Sequence, residues 1–376
     1  MRHIKQVVSL SLSLPLLLVL GAAGAAAQDV NVHLGGADPV LRGAAAAAAG
    51  TSLDQGDVDG DGRRDLIVGA PGTGGVGQVS IFFTFAGDAG TIDLTPANAD
   101  ATITGNINGA NFGTAIASGL ILNSATSDAA RNLVVGAPGI PGSAGIVYIF
   151  AGPITRGSYS ATTARFIIVG GAGEQFGSSV ATADLNGDGF REVIVGARGS
   201  SRVYVFNLVG RTAGTLSSAT ANMTIVEDAE LVGGGLGEVI ESAGDITGDG
   251  TYDLAIGMPR AYGTRGAVYI VRGHTAAEGI TFPGTITLIN ASNGVFKGTD
   301  VGDRAGQSLA YKDVVFADTT STRDLVIGAP GADGVGNART DSGEVYIIWG
   351  GNLVPGCAVH SVQCTRQLSA PFAYGR

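Results

Sequence analysis

Five copies of one short segment recur along the 376-residue chain and leave few folds open to it. They are Asp65–Pro71 (DLIVGAP), Asn132–Pro138 (NLVVGAP), Glu192–Arg198 (EVIVGAR), Asp253–Pro259 (DLAIGMP) and Asp324–Pro330 (DLVIGAP). Their shared glycine falls at 69, 136, 196, 257 and 328, so the repeat is 60 to 71 residues long. That is too long for a small solenoid repeat. It suits a unit of about four strands, the size of one propeller blade.

The remainder of each unit repeats as well. A second apolar run follows each segment: Gln78–Phe83, Ile146–Phe150, Arg202–Phe206, Ala267–Val271 and Glu344–Trp349. These runs are β-branched and aromatic, bounded by glycine and of strand length. A more polar strand comes next, as at Ala101–Thr104 and Phe166–Val169. An aromatic–glycine or apolar–glycine pair then opens a small-residue strand, at Phe112-Gly113, Phe176-Gly177, Leu236-Gly237 and Ala305-Gly306. In the first unit Ala49-Gly50 holds the same offset, and the Ala44–Ala49 run is expected to be an inner strand, against alanine's helix propensity. The last unit has an inner strand near Ala305–Ala310 but no fourth strand. Val30–Leu34 is a spare strand at the other end of the chain, and pairing the two would close the ring and remove open edges.

An acidic loop precedes the recurring segment in three units. Oxygen-bearing side chains stand at loop positions 1, 3, 5 and 9: Asp57, Asp59, Asp61 and Asp65; Asp184, Asn186, Asp188 and Glu192; Asp245, Thr247, Asp249 and Asp253. Glycine at position 6 permits a sharp turn, and alternate side chains can point three oxygens at one centre. The carbonyl of position 7 (Arg63, Phe190 or Thr251) can add a ligand. Calcium takes six to eight such oxygens, and carboxylates this close repel one another without a cation. The other two units lack the set. They carry Ser124, Thr126, Asp128 and Asn132, and Phe316, Asp318, Thr320 and Asp324. Three calcium ions are therefore expected, the Thr247 loop binding most weakly.

EF-hand and dockerin loops begin alike but place an acid at position 12 and enter a helix. Here position 12 is Val68, Val195 or Ile256, inside an apolar strand-like run. The FG pair, the DxDxDG loop and the DLxxGAP segment together resemble the FG-GAP repeat of integrin α-subunits, over residues 44–350. The resemblance implies an all-β propeller with calcium in hairpin loops between adjacent strands of a blade, and other loops free to meet a protein ligand. Integrin propellers have seven blades. Five are detected here, with up to seven possible if others have diverged.

Residues 1–27 read as a signal peptide of bacterial secreted type: Arg2, His3 and Lys5, an apolar stretch to Leu20, and Ala25-Ala26-Ala27 before Gln28. The expected division is signal peptide 1–27, propeller 28–350 and a C-terminal tail 351–376 in which Cys357 and Cys364 can pair, as export permits. No transmembrane span follows the leader, so the place of action is extracellular or periplasmic. A formal charge of −10 with no basic stripe argues against nucleic acid as a partner. His33, His274 and His360 lack any nucleophile or metalloprotease motif around them, and the acidic group Glu227, Asp228 and Glu230 reads as an exposed loop. The function expected is thus a calcium-binding adhesion or protein-interaction scaffold with structural calcium. The alternatives are a secreted hydrolase on a propeller scaffold, marked by a cleft of convergent carboxylates, and an accessory subunit completing another protein's propeller.

Overall fold

The computed structural model describes residues 46–83, 98–122, 131–139, 142, 144–274, 282, 284–312, 323–333, 341–348 and 364–367. They form five sheets. The first blade runs β1 (Ser52–Gly56), β2 (Asp65–Ala70), β3 (Gln78–Phe82) and β4 (Ala101–Thr104). The second is β5 (Ala115–Gly119), β6 (Asn132–Ala137), β7 (Ile146–Phe150) and β9 (Phe166–Val169), with β8 (Gly157–Ser160) on the way to its last strand. The third comprises β10 (Phe176–Ala183), β11 (Glu192–Ala197), β12 (Arg202–Phe206) and β14 (Met223–Val226), with β13 (Gly214–Ser217) similarly placed. Blade four holds β15 (Val239–Gly244), β16 (Asp253–Met258), β17 (Ala267–Val271) and β19 (Ser292–Lys297), with β18 (Gly284–Thr287) before β19. The fifth sheet has β20 (Ser308–Lys312), β21 (Asp324–Ala329) and β22 (Glu344–Ile348), and β23 (Cys364–Gln367) follows.

Every blade is an antiparallel meander. In the second strand Leu66 of β2 lies opposite Phe82, and Val135 of β6 opposite Tyr148. Strands β6, β11 and β16 are buried at all six positions. Neighbouring blades cover both faces, which is why these strands read as unbroken apolar runs rather than an alternating pattern. The short strands β8, β13, β18 and β23 each cross over to add a parallel fifth strand to the outer edge of the blade before: β8 on β4, β13 on β9, β18 on β14, β23 on β19. They cover an edge that would otherwise offer unpaired backbone groups.

The signature glycines mark the joints between blades. A Cβ at Gly136 would overlap the carbonyl oxygen of Gly177, and Gly69, Gly196 and Gly257 face Gly113, Gly237 and Gly306 in the same way. Each of these partners has φ between 86° and 91°. The glycine of the GAP segment thus packs backbone to backbone against the FG glycine of the next blade. The preceding residue plugs the joint: Phe112, Phe176, Leu236 and Ala305 are at most 1% exposed. Phe176 meets Tyr204 and Phe206 at centroid distances of 5.5 and 6.1 Å, and Phe112 meets Tyr148 and Phe150 at 5.4 and 6.3 Å.

The innermost strands β1, β5, β10, β15 and β20 pack in succession around an axis. Asp54 of β1, Glu241 of β15 and Lys312 of β20 act on one another electrostatically across that axis. Two expectations change. The inner strand of the first unit begins at Ser52, after Gly50, whereas Ala46–Ala49 is a turn with Ala46 and Ala48 at φ 60° and 52°. In the last unit the inner strand is Ser308–Lys312, also beyond its glycine rather than across it. In both cases the positive-φ glycine ends the preceding turn and the strand starts after it. Val30–Leu34, Cys357 and Trp349 lie outside the described residues, as do the side chains of β23.

Candidate metal centre

The acidic loops join the first and second strands of blades one, three and four, and their geometry repeats closely. The position-1 carboxylate accepts two backbone N–H groups across the turn. Asp57 takes those of Gly60 and Gly62 at 2.8 and 3.0 Å. Asp184 takes Asp188 and Gly189 at 3.1 and 2.9 Å, and Asp245 takes Asp249 and Gly250 at 2.8 and 2.9 Å. Position 5 accepts the N–H of position 7 at 2.8 Å in all three, pairing Asp61 with Arg63, Asp188 with Phe190 and Asp249 with Thr251. Glycines at positions 4 and 6 are left-handed throughout, with φ of 85° and 88°, 68° and 88°, and 78° and 90°. Side chains there would be strained.

In the first loop this winding brings Asp57, Asp59 and Asp61 together, with carboxylate oxygens within 4.8 Å of one another. At that separation each like-charged pair costs roughly 1 kcal/mol in water and several near a protein surface. A hard cation offsets that repulsion, and these three residues fit one.

Position 9 does something the sequence did not suggest. Asp65, Glu192 and Asp253 are at most 1% exposed. Each spends an oxygen on the loop's own backbone: Asp65 accepts from Val58 at 2.9 Å, Glu192 from Leu185 at 2.8 Å and Asp253 from Thr247 at 2.9 Å. Asn132 makes the same clasp in blade two, accepting from Ile121 and Leu122 at 2.9 Å each. The clasp therefore works without charge, and Asp65 stands outside the group formed by the other three aspartates. Burial pushes Glu192 up to about 8, with Asp188 and Asp184 adding to the effect. Burial likewise pushes Asp253 up to about 7.

The three loops are not equal. In the third, the Asn186 amide faces Asp188 and Glu192 at 3.1 and 2.8 Å. In the fourth, the Thr247 hydroxyl donates to Asp249 at 3.0 Å, and Arg272 forms an ion pair with the same carboxylate. Against its burial, hydrogen bonds from Thr251 and Arg272 hold Asp249 below the ordinary range. A resident guanidinium competes with a metal ion, so the fourth donor set fits a cation least well. Ser124, Thr126, Asp128, Phe316, Asp318 and Thr320 fall outside the described residues.

Among the described residues, other groups make contacts within the fold. Glu227 accepts the N–H groups of Gly233 and Leu236 at 3.1 and 3.3 Å, and Asp228 that of Ile289 at 2.8 Å. His274 donates its backbone N–H to Leu185 at 2.7 Å, latching blade four to the third loop. Met223 and Met258 are buried in the core between blades three and four.

Residues 49–82, 176–206 and 240–271 match the FG-GAP repeat family. The chain is 34% identical over 164 residues to integrin alpha-4 of Xenopus laevis, covering 42% of this chain and 14% of the relative. It is 29% identical over 221 residues to integrin alpha-V of Gallus gallus, covering 55% and 19%. Against integrin alpha-PS5 of Drosophila melanogaster it is 32% identical over 171 residues, covering 43% and 16%. The chain thus spans less than a fifth of the length of each of these relatives. The WD40 domain of Toxoplasma gondii coronin overlays with a TM-score of 0.37 at 14% identity, covering 80% of this chain and 60% of that one, too loose a fit to bear on the fold. Five sheets of one strand pattern, the FG and GAP glycines packed at their joints and the matched repeats together make this chain an FG-GAP β-propeller.

Proposed function

We propose that the chain is a calcium-binding interaction scaffold that works outside the cytoplasm, exported through a leader at residues 1–27, with Cys357 and Cys364 paired to each other. Calcium sits in the loops beginning at Asp57, Asp184 and Asp245 and is structural. The observation that carries this reading is the convergence of Asp57, Asp59 and Asp61, supported by near-identical winding in the other two loops. The position-7 carbonyls of Arg63, Phe190 and Thr251 complete the ligand sets. The ions hold the hairpins at one end of the ring, and the loops at the opposite end are left to meet a protein or other extracellular ligand, as the likeness to integrin α-subunits suggests.

A thermal melt with calcium and with chelator tests it. Extracellular calcium modules bind at roughly 10⁻⁴–10⁻³ M. At about 10 mM calcium each site then contributes about 1.4–2.7 kcal/mol. Asp57→Ala, Asp184→Ala and Asp245→Ala should each remove part of the rise in melting temperature. No rise in the unsubstituted protein would reduce the loops to ordinary turns.

A further inference from the structure

The residue just before the second strand of each blade is Arg64, Arg131, Arg191, Tyr252 and Arg323, four arginines in five in a chain with only 22 Lys and Arg. The fold turns this register into a place. The backbone N–H of Arg131 donates to the Asp57 carbonyl at 2.7 Å, that of Arg191 to Leu120 at 2.7 Å, and that of Tyr252 to Asp184 at 3.2 Å. Each is thereby tied to the residue that leaves the inner strand of the preceding blade.

The arginine stems lie where those inner strands end in glycine. A Cβ at Gly56 would come 3.2 Å from Arg131 Cδ, and one at Gly119 would come 2.8 Å from Arg191 Cδ. The cavity they border has a volume of about 430 Å³ and is lined by Arg63, Arg64, Arg131, Arg191 and Tyr252, together with Asp57 and Asp184. The Arg191 guanidinium stacks over the Tyr252 ring, 5.1 Å from its centroid, and donates to the Thr182 carbonyl at 3.2 Å. Among the described residues neither Arg131 nor Arg191 has a carboxylate within ion-pair distance. Burial pushes Arg191 down and Arg131 adds to this, while Tyr252 and Asp54 oppose it.

We propose that this mouth binds a tetrahedral oxyanion carried on a sugar, a sulfate or phosphate ester, with Arg131 and Arg191 as its principal partners and Tyr252 beside the ring. Guanidinium forks match tetrahedral oxyanions in shape and charge. A cavity of this size falls within the range of small-molecule sites and leaves space beyond a bare anion. The acidic residues of the lining are Asp57 and Asp184, the first residues of two calcium loops. If those loops hold calcium, their charge is neutralised and the arginines dominate the mouth. The arginine site stands without calcium, but the metal should strengthen it.

Calorimetric titration of the whole chain at matched ionic strength tests this, using glucose 6-sulfate, inorganic sulfate and glucose, each with calcium and with chelator. The sulfate ester should bind saturably and glucose should not. The double variant R131Q/R191Q should weaken ester binding by about tenfold or more, as expected on losing charge-assisted hydrogen bonds, while its calcium-dependent melting stays that of the unsubstituted protein. The proposal is overturned if the ester binds no better than glucose, or if R131Q/R191Q binds it unchanged. Inorganic sulfate binding as tightly as the ester would keep the arginine site and overturn its sugar. Ester binding indifferent to chelator would support the arginine site and count against calcium in the neighbouring loops alone.

Discussion

Replacing Gly136 by alanine isolates the contact that gives the repeat its signature. Gly136 has an ordinary extended backbone, so alanine's conformational advantage alone would stabilise by about 0.4–1 kcal/mol. The added methyl group, however, would overlap the carbonyl oxygen of Gly177, with the carbonyl carbon at 3.1 Å and Cα at 3.3 Å. Those atoms are backbone of the next blade and cannot rotate away. Overpacking of a close-packed site costs about 1–3 kcal/mol, and a rigid neighbour places this case at the upper end, for a net loss of about 2 kcal/mol. Gly328 is the internal control. It holds the same repeat position, but among the described residues the nearest atom to its Cβ is the Ser308 hydroxyl, with nothing else closer than 3.6 Å. A hydroxyl can turn aside, so Gly328→Ala should cost well under half as much. Urea unfolding of both variants provides the assay, read as a shift in midpoint at constant slope. Equal losses at Gly136 and Gly328, or a stabilised Gly136→Ala, would contradict the close-packing explanation.

Other outcomes follow from the same structure. Phe176→Ala empties the joint between the second and third blades, where the ring is fully buried against Tyr204 and Phe206, and should cost about 3–5 kcal/mol in the same unfolding assay. Without calcium, Glu192 is raised to about 8 and Asp253 to about 7. A carboxyl raised on folding contributes stability below its unfolded value and loses it as pH rises through the folded one. Melting temperature in chelator should therefore fall from about pH 4.5 towards pH 8, and a flat profile would argue against buried, protonated carboxyls. Saturating calcium should flatten the part of that fall due to Glu192 and Asp253. Arg272→Ala frees Asp249 from its ion pair and should tighten calcium binding at the fourth loop severalfold. Unchanged affinity there would mean that the pair does not compete with the metal.

The second and third strands of each blade were legible because they are apolar runs that glycine punctuates, and both of their faces are buried. The FG pairs were legible as a repeated offset, but not their purpose, which depends on a glycine in the neighbouring blade some 40 residues away (Gly136 and Gly177). The edge strands β8, β13 and β18 escaped notice because they are short, polar and largely exposed, and only pairing with the previous blade makes them strands. A signal did exist: Gly157–Ala164 reads GSYSATTA and Gly214–Ala221 reads GTLSSATA. The alanine run misled because alanine gives no facial pattern to read. In the loops, spacing identified the residues Asp57, Asp59 and Asp61 that come together. It gave no warning that Asp65 clasps its own backbone or that Arg272, 23 residues beyond Asp249, pairs with it. The arginines before the second strands stand at one register in the sequence, yet only the fold brings Arg64, Arg131 and Arg191 to one cavity.

Equilibrium dialysis against radiolabelled calcium puts the central proposal most directly. At millimolar free calcium the whole chain should bind three ions, falling to two in each of Asp57→Ala, Asp184→Ala and Asp245→Ala. No bound calcium, or a stoichiometry that these substitutions leave unchanged, would contradict the assignment of the three loops.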